Sequence, residues 1–434
     1  MNAEKQITAH FERNSIVEAI GDFCPGDSTL YFTAYAVNGP GDGWVVWKSD
    51  GSAAGTVPIS LHHQTFYPYG LTWADGNLFF GDCNGGNQYA LWWSNGTLAS
   101  TAFVADVCPI HGTGNSETIG STYYFVNGRD DYGALWKSDG SPAGTVRVRK
   151  FTDQSSTYMS CNLTNVNGKL FLTVGYPNGY GIRVNGLWKS DGTEAGTAQV
   201  VSIDTSDSTR SCLTNVNGTL YFFNLNDQFV QLWKTDGATT QMVLDIAKAA
   251  NTSGNYVYCN YLTNINGTLY FAVSNQGKFE LWKSNGTEVG TYKVAGFDSD
   301  ITEMMAAADD RIFFTVFTNS GYNYYTHLWT SDGTSAGTIK LKSFEYWPIM
   351  KLVGAGNNVY FGAAEPSGDY GLYKSDGTVG GTVMVRHFAN HGTIGLVDNL
   401  TNLNGLLYFS AGLDNGVWRS NGTEAGTVLV TPEQ

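Results

Sequence analysis

An eleven-residue segment recurs along this chain and constrains its fold more than any other feature. The clearest copy is Leu-Trp-Lys-Ser-Asp-Gly-Thr-Glu-Ala-Gly-Thr at residues 187–197, and its aromatic second residue returns at intervals of about 46 residues. The nine aromatic anchors are Trp47, Trp92, Trp136, Trp188, Trp233, Trp282, Trp329, Tyr373 and Trp418. A period of this length is typical of the four-stranded blade of a β-propeller.

A second recurring piece lies upstream of each anchor and predicts the strands of the repeat. It is an apolar-aromatic triplet such as Leu220-Tyr221-Phe222, and several copies follow an Asn-Gly or Asp-Gly pair such as Asn217-Gly218. Such pairs tolerate the positive φ of a two-residue hairpin turn, so each triplet is predicted to be the second strand of a hairpin. The Leu-Trp-Lys segment then forms a third strand, Ser-Asp-Gly-Thr a turn, and the residues after Gly-Thr a fourth strand.

These repeats predict an all-β fold, a β-propeller with nine four-stranded blades of about 46 residues in one ring that spans residues 1–434. The 53 glycines against 10 prolines and the 14% aromatic content agree with tight turns between aromatic-rich strands. A single blade leaves edges and an apolar face exposed, so neighbours must stack, and a ring is favoured over an open solenoid. The count exceeds the usual four to eight blades.

The ends of the chain leave the closure of the ring open. Residues 6–11 resemble the ending of a fourth strand at residues 383–388, which suggests an extra outer strand on the last blade. That blade already carries a fourth strand of its own at residues 427–430. The sequence does not decide which of these segments seals the ring.

Charge and cysteine content exclude several partners. A formal net charge of −14 disfavours nucleic acid, because binding to its phosphates relies on clustered Lys and Arg. The six cysteines contain no Cys-x-x-Cys pair, so no metal site and no cofactor are predicted, and reduced, buried thiols are expected. Without a long apolar window or the plan of a signal peptide, we expect a soluble protein, either cytoplasmic or secreted by a route not visible in the sequence, with no membrane partner.

The repeated Leu-Trp-Lys-Ser-Asp-Gly-Thr-x-x-Gly-Thr segment resembles the ELWxSDGTxxGT repeats of bacterial propeller-like proteins, and the resemblance covers nearly the whole chain. It implies the propeller fold and says little about function. The Ser-Asp-Gly-Thr turn is also similar to the Asp-box hairpin of sialidases, where the turn is structural, although the spacing differs and no terminal Trp follows.

Residues that every repeat contains are interpreted as structural, so binding residues are sought where the repeats differ. Loops held on a rigid frame carry binding residues, and two long loops are rich in Tyr, Asn, Gly and Ser. They predict a site for a glycan or another polar small ligand, since tyrosine offers a flat ring with a polar tip and arginine a planar fork of donors. The candidate residues are Tyr176, Tyr180, Arg183, Tyr322, Tyr324 and Tyr325.

Histidines provide a second set of candidates. Five of the seven lie in or next to links between blades eight, nine, one, two and three, which are consecutive in a closed ring. Gathered on one side, imidazoles bind a metal or act as acid and base, but no ligand spacing such as His-x-His supports this, and solvated histidines are the favoured interpretation. These secondary candidates are His62, His63, His111, His387 and His391.

Three functions compete. Lectin-like glycan recognition through loops on one face is favoured, an enzyme with a single active site at the mouth of the central channel is the alternative, and a protein-interaction scaffold is the third. Catalysis is less favoured than binding because the sequence contains no nucleophile elbow and no phosphate-binding loop. A glycosidase would need a pair of carboxylates from different blades, and the candidates in the loops are Asp130, Asp131, Glu365 and Asp369. A lectin predicts similar sites in several blades, whereas an enzyme predicts one site where the blades diverge most.

Overall fold

Short antiparallel strands account for most of the chain in the computed structural model. The structure describes residues 16–37, 43–60, 67–83, 89–107, 109–110, 114–128, 133–151, 162–177, 182–203, 213–226, 229–250, 257–275, 278–298, 305–320, 323–345, 349, 351–364, 370–388, 397–411 and 416–431.

Within these residues the strands form nine four-stranded sheets, each made of four strands that are consecutive in the chain. We number the sheets as blades one to nine, and one short helix, α1 (Ile246–Ala249), follows blade five. The strands of blades one to three are β1 (Ile16–Pro25), β2 (Leu30–Val37), β3 (Gly43–Ser49), β4 (Val57–Pro58), β5 (Tyr69–Ala74), β6 (Asn77–Cys83), β7 (Tyr89–Ser94), β8 (Ala102–Ala105), β9 (Ser116–Ile119), β10 (Thr122–Asn127), β11 (Ala134–Ser138) and β12 (Val146–Lys150). Those of blades four to six are β13 (Thr164–Val166), β14 (Lys169–Pro177), β15 (Ile182–Ser190), β16 (Ala198–Val201), β17 (Leu213–Val216), β18 (Thr219–Asn226), β19 (Phe229–Thr235), β20 (Thr240–Asp245), β21 (Val257–Ile265), β22 (Thr268–Asn275), β23 (Lys278–Ser284) and β24 (Thr291–Phe297). Those of blades seven to nine are β25 (Met305–Ala308), β26 (Arg311–Ser320), β27 (Asn323–Ser331), β28 (Ile339–Glu345), β29 (Val353–Ala355), β30 (Asn358–Ala364), β31 (Tyr370–Ser375), β32 (Val383–Phe388), β33 (Asp398–Leu403), β34 (Leu406–Ala411), β35 (Gly416–Ser420) and β36 (Val428–Leu429).

The sheets close into a ring around a central channel. The first strands of successive blades contact one another in chain order, and β1 of blade one also contacts β33 of blade nine. The first strand is therefore the innermost in every blade, and the fourth lies at the outer rim. The predicted nine-bladed β-propeller, with the triplet as the second strand of each blade, is confirmed.

Neighbouring blades pack through the aromatic triplets. In blade five, Phe222 pairs across the strands with the anchor Trp233, and the two rings stack with their centroids 6.5 Å apart. Phe222 also shares a buried cluster with Phe171 and Leu187 of blade four. Because side chains alternate between the faces of a strand, Tyr221 points the other way, towards blade six.

The turn between the third and fourth strands is held by its own side chains. In blade four the Asp191 carboxylate accepts hydrogen bonds from the Thr193 amide and hydroxyl, at 2.9 and 2.7 Å, and these bonds lower the pKa of Asp191. Gly192 has a φ of +85°, and a Cβ there would lie 2.5 Å from the Tyr124 hydroxyl of blade three. The turn Asp is thus a structural residue, and the glycine lets the triplet tyrosine of the preceding blade reach it.

The nine aromatic anchors differ in how deeply they are buried. Trp47, Trp282 and Tyr373 are buried, with 4% exposure each, whereas Trp188 and the other anchors are half-buried. Trp188 packs edge-on against Phe151 of blade three, and the Arg149 guanidinium lies 5.1 Å from its ring centre. The third strand lies one position from the rim, so the indole is covered by the neighbouring blade and not by a deep core.

A ladder of asparagine side chains ties the innermost strands together. The Asn215 amide accepts from the Gly218 N–H of its own hairpin turn at 2.9 Å and donates to the Asn165 carbonyl of blade four at 3.0 Å. Asn264 of blade six repeats both bonds, with the Asn215 carbonyl as its acceptor. Asn402 of blade nine does the same towards the Gly354 carbonyl of blade eight.

The seam between the last and first blades uses side-chain packing. Leu403 of blade nine shares a buried cluster with Leu30 and Phe32 of blade one, and the Asn404 amide donates to the Asp27 carbonyl at 2.6 Å. In the described part of the chain no strand crosses from one blade into another. Blade nine takes its fourth strand, β36, from its own repeat, and residues 6–11 lie outside the described residues.

Candidate functional site

A cavity of about 360 Å³ lies where five consecutive blades face the central channel. Its lining comes from blades eight, nine, one, two and three, and nearly all of it belongs to their innermost strands. The described lining residues are Asp22, Phe23, Gly70, Leu71, Thr72, Gly114, Ser116, Lys351, Asn399 and Thr401. This volume lies within the range of about 300–1,000 Å³ that is usual for small-molecule sites.

Bulges shape the wall of this cavity. The pairing of the first and second strands is irregular in three adjacent blades, between Asp398 and Thr401, between Ile20 and Phe23, and between Tyr69 and Thr72. A β-bulge bends a strand and re-aims its side chains, and bulges are over-represented next to active sites. Blade six, outside the cavity, has a similar bulge between Asn260 and Thr263.

Side-chain hydroxyls hold two of the bulges. Asn399 adopts a φ of +54°, and the Thr401 hydroxyl donates to its carbonyl at 3.0 Å. In blade two the Thr72 hydroxyl donates to the Gly70 carbonyl at 3.1 Å. The same bond in two blades fixes the backbone at the point where it borders the cavity.

One carboxylate and one ammonium group bring charge to the described lining. Asp22 of blade one accepts a hydrogen bond from the Gly70 N–H of blade two at 2.6 Å, which orients one carboxylate oxygen. Lys351 approaches the cavity from blade eight with an exposed side chain.

A buried phenol supports the opposite wall. Tyr123 of blade three is 2% exposed, and its hydroxyl hydrogen-bonds to Ser116 and Thr72, both of which line the cavity. Burial raises the pKa of Tyr123 to about 12, so the phenol stays neutral and donates its proton to one of these oxygens. The cavity therefore has a rigid wall of hydroxyls and backbone bulges, and charge at two places.

The three tyrosine candidates that the structure describes lie in strands and not in loops. Tyr176 belongs to β14 and pairs with Arg183 of β15, and both Tyr324 and Tyr325 belong to β27. The second-to-third-strand connections of blades four and seven are long hairpins because their strands run on for 9–10 residues. Tyr180 and Tyr322, and the side chains of Tyr176 and Arg183, lie outside the described residues.

Tyr324 and Tyr325 do not face one site together. As neighbours in a strand they point to opposite faces of blade seven. Tyr324 is 46% exposed and stacks on Phe317, whereas Tyr325 stacks on His327 at a centroid distance of 6.1 Å. Neither residue lines the channel cavity.

Most histidine candidates cannot be placed. His62, His63, His111 and His391 lie outside the described residues, and His387 lies in strand β32, exposed, and not in a link. The described histidine with a defined polar setting is His327, which lies 2.8 Å from both the Thr318 and Ser343 hydroxyls. Among the described residues no group of three His, Cys, Asp or Glu is arranged to hold a metal ion.

Other sequence-based candidates resolve as follows. Cys24 and Cys259 are buried, and burial raises the pKa of Cys24 to about 12. The loop carboxylates Asp130, Asp131, Glu365 and Asp369 lie outside the described residues. Where the structure describes the chain, it contains no helix long and apolar enough to cross a bilayer.

The cavity residues were missed because the first strand was treated as a structural element alone. A signal was nevertheless present in the hairpin register. The residue opposite the first triplet position is asparagine in blades four, five, six and nine. In blades seven, eight, one, two and three it is Ala307, Gly354, Pro25, Trp73 and Thr118. The innermost strands therefore lose their common pattern in four of the five blades that border the cavity, and also in blade seven, which does not border it.

Comparisons with known proteins match the fold at low similarity. No protein-family model matches this chain, and neither does any curated protein. Among solved structures it is similar to a puromycin hydrolase, with a TM-score of 0.43, 14% identity, and coverage of 81% of this chain and 57% of the other. It is also similar to a prolyl endopeptidase, with a TM-score of 0.46, 8% identity, and coverage of 83% and 55%. A third similar structure, oligopeptidase B from Leishmania major, has a TM-score of 0.44, 10% identity, and coverage of 75% and 49%. This chain thus spans about half to three-fifths of the length of these peptidases.

Proposed function

We propose that this propeller binds a small polar ligand at a single site, the cavity that blades eight, nine, one, two and three form in the central channel. The observation that carries the proposal is the asymmetry of the cavity, which borders five consecutive blades of a ring of nine. Residues that recur in every blade serve the fold. A binding site is therefore expected where the residues of the innermost strands depart from the repeat, and the cavity lies in that part of the ring.

The lining supports recognition of a polar molecule. It combines the Thr72, Ser116 and Thr401 hydroxyls with a carboxylate and an ammonium group, and the Tyr123 phenol and the bulges hold much of it in place. Groups held in place before binding lose little conformational freedom when a ligand arrives, which favours affinity. A glycan remains one candidate ligand, bound here and not by the hairpins of blades four and seven.

An enzyme with its active site at the channel mouth is the second candidate function. One asymmetric site, placed where the blades diverge, is the arrangement expected of an enzyme, whereas a lectin with a site in several blades predicts repeated pockets. The described lining residues supply groups that bind a ligand, so they support ligand binding at this cavity.

The proposal is tested by blocking the cavity. A ligand-observed NMR screen of monosaccharides, amino acids, dipeptides and nucleosides finds a binder, and the same screen follows its conversion over hours. We expect binding to be lost in Thr401→Trp, where the indole fills the cavity, and in Lys351→Trp, which plugs it from an exposed position. Melting temperatures near that of the wild type show that both variants fold.

Tyr324→Ala is the matched control, since it removes an exposed aromatic ring of the blade-seven hairpin without touching the channel. Binding that survives both plugs and disappears in Tyr324→Ala would overturn the proposal and move the site to that hairpin. Conversion of the ligand by the wild type but not by the plugged variants would establish the enzyme alternative at this cavity.

A further inference from the structure

The end of each described fourth strand places one apolar side chain against the next blade. We call it the closing residue; it stands six residues after the last threonine of the repeated segment, as Phe388 follows Thr382. In four blades it is a phenylalanine that packs edge-on against the anchor of the next blade, with ring centroids 4.9–5.2 Å apart. These pairs are Phe151 with Trp188, Phe297 with Trp329, Phe344 with Tyr373, and Phe388 with Trp418.

The other described closing residues are aliphatic and take the same place. Each lies in one apolar cluster with the anchor of the next blade, in the pairs Val107 with Trp136, Ile203 with Trp233, and Ile246 with Trp282. All seven closing residues that the structure describes are therefore apolar and contribute to covering the next anchor.

Blade nine departs from this pattern at its seam with blade one. By the same count its closing position holds Glu433, and Pro432 precedes it. Proline has no N–H to donate to a strand ladder, and burial of a carboxylate against an indole ring is unfavourable. The fourth strand β36 is two residues long, whereas β32 of blade eight has six residues. The repeat of blade nine thus offers no apolar closing residue to Trp47, the anchor of blade one.

Trp47 is nevertheless as buried as an anchor that has its closing residue. It is 4% exposed, and so is Tyr373, against which Phe344 packs. The buried residues of blade nine in the cluster of Trp47 are Leu403, Tyr408, Val417 and Val430. None of these stands at the closing position, so the equal burial supports a closing residue that comes from another part of the chain.

The segment before β1 contains a residue that fits this position. Residues 6–11 resemble the fourth strand at residues 383–388, and both end in His-Phe. Phe11 precedes Leu30, the first triplet residue of blade one, by 19 residues. The same spacing separates two described closing residues from the triplets that follow them, Phe151 from Leu170 and Phe388 from Leu407.

We infer that residues 6–11 lie along the outer edge of blade nine and that Phe11 is the closing residue that packs against Trp47. The two ends of the chain then complete one blade, because the N-terminal segment continues the edge at the point where Pro432 ends the pairing of β36. A covered edge also protects the sheet from pairing with other chains. This inference concerns the closure of the ring and is independent of the proposed channel site.

Double-mutant cycles in urea test the contact on the full chain. For Phe11→Ala and Trp47→Ala, the midpoint of the double variant should lie above the value expected from the sum of the two single shifts, because the second substitution removes a contact that is already lost. The described pair of Phe151 and Trp188 is the matched control and should deviate in the same direction and to a similar extent. The crossed pairs, Phe11 with Trp188 and Phe151 with Trp47, should be additive. Additivity for Phe11 with Trp47 would refute the contact.

Hydrogen exchange of the wild type provides a measurement that requires no variant. The peptide that contains residues 6–11 should exchange more slowly than an unfolded peptide of the same sequence, as the peptide with residues 383–388 should. Exchange at the rate of an unfolded peptide would overturn the inference even if some of the substituted chains fail to fold.

Two other ways to close the seam are outcomes that contradict this one. If removal of residues 432–434 lowers the urea midpoint as much as Phe388→Ala does, while Phe11→Ala leaves it unchanged, blade nine is closed by its own repeat. If Phe11 packs against Trp47 of a second copy, the chain elutes as a dimer and the midpoint rises with protein concentration. We expect a monomer whose midpoint does not depend on concentration.

Discussion

At the scale of single residues, polar side chains connect the blades. The Asn215 amide accepts a hydrogen bond within its own hairpin and donates one to the preceding blade, so one side chain fixes both a turn and an interface. The aromatic anchors bury apolar surface, whereas the asparagine ladder aligns neighbouring innermost strands, because its hydrogen bonds end on specific backbone carbonyls.

Asn215→Ala should lower the free energy of unfolding by about 1–3 kcal/mol, because it removes two hydrogen bonds and leaves a half-buried carbonyl without its donor. Urea denaturation of wild type and variant measures the change. Glu424→Ala, at an exposed position of the blade-nine turn, is the control and should stay within about 0.5 kcal/mol of the wild type. A loss equally small in Asn215→Ala would show that the ladder contributes nothing to stability.

His327 gives the stability of blade seven a pH dependence. Burial, helped by the nearby Lys340, lowers the pKa of His327 below 6.5, so the folded protein favours the neutral imidazole between Thr318 and Ser343. The unfolded chain regains the ordinary pKa and binds a proton below pH 6.5, so this contribution is present above that pH and lost as the pH falls below it. Urea unfolding at pH 7.5 and pH 5.5 should show a larger loss for the wild type than for His327→Gln, and identical losses would contradict the assignment.

At the scale of the element, the turn between the third and fourth strands joins two blades as well as two strands. Its Asp bonds to the turn itself, as Asp191 does to Thr193, while its first glycine leaves room for the triplet tyrosine of the preceding blade. Asp recurs in this turn because of these local hydrogen bonds, and Gly recurs because it allows the close approach of the tyrosine; these are two separate demands. Neither demand involves a ligand.

Gly192→Ala isolates the second demand when it is compared with Gly168→Ala. Both glycines have positive φ, +85° and +78°, but a Cβ on Gly192 would meet the Tyr124 hydroxyl at 2.5 Å, and a Cβ on Gly168 would meet nothing within 4 Å. Both variants incur backbone strain, and Gly192→Ala should cost about 1–3 kcal/mol more because of the clash. Urea melts measure both, and Tyr124→Phe should recover part of the difference; equal costs would place Tyr124 away from the turn.

At the scale of the whole molecule, side-chain packing joins blades nine and one, and among the described strands none is exchanged between these two blades. Leu403 and Asn404 of blade nine contact blade one as their equivalents in other blades contact the next blade. The seam therefore resembles the interface between blades six and seven, where the Asn266 amide donates to the Asp309 carbonyl. The partners at the seam are nevertheless 377 residues apart in the chain.

Leu403→Ala and Ile265→Ala compare the seam with an internal interface. The two residues end the first strands of blades nine and six, are 6% and 5% exposed, and pack against blades one and seven, respectively. In a closed ring each substitution should cost about 2–5 kcal/mol, as is usual for buried aliphatic side chains, and the two costs should agree within about 1 kcal/mol. Denaturant unfolding measures both, and a much smaller cost at Leu403 would mean that the seam opens in solution.

The candidate site was harder to predict than the fold. The strand order, the hairpin turns and the nine blades follow from motifs a few residues long, as with Asn217-Gly218 before its triplet. Tyr324 and Tyr325, by contrast, were assigned to a loop because polar and aromatic residues there interrupt the repeat, yet they pair in β27 with Asn319 and Thr318. Whether they lie in a strand or a loop depends on how far the two strands of the hairpin stay hydrogen-bonded, which is a cooperative property of both strands.

The sequence by itself determined the blade, its four strands and their number, because each depends on contacts between residues close in the chain and repeated nine times. Only the tertiary structure decided what the ring encloses. The Gly70 N–H meets Asp22 across 48 residues, Thr72 and Ser116 meet at one buried phenol, and Lys351 joins Asp22 at one cavity from a blade near the far end of the chain. These groups come together because ring closure sets the distance between blades, and no periodicity in the sequence records that distance.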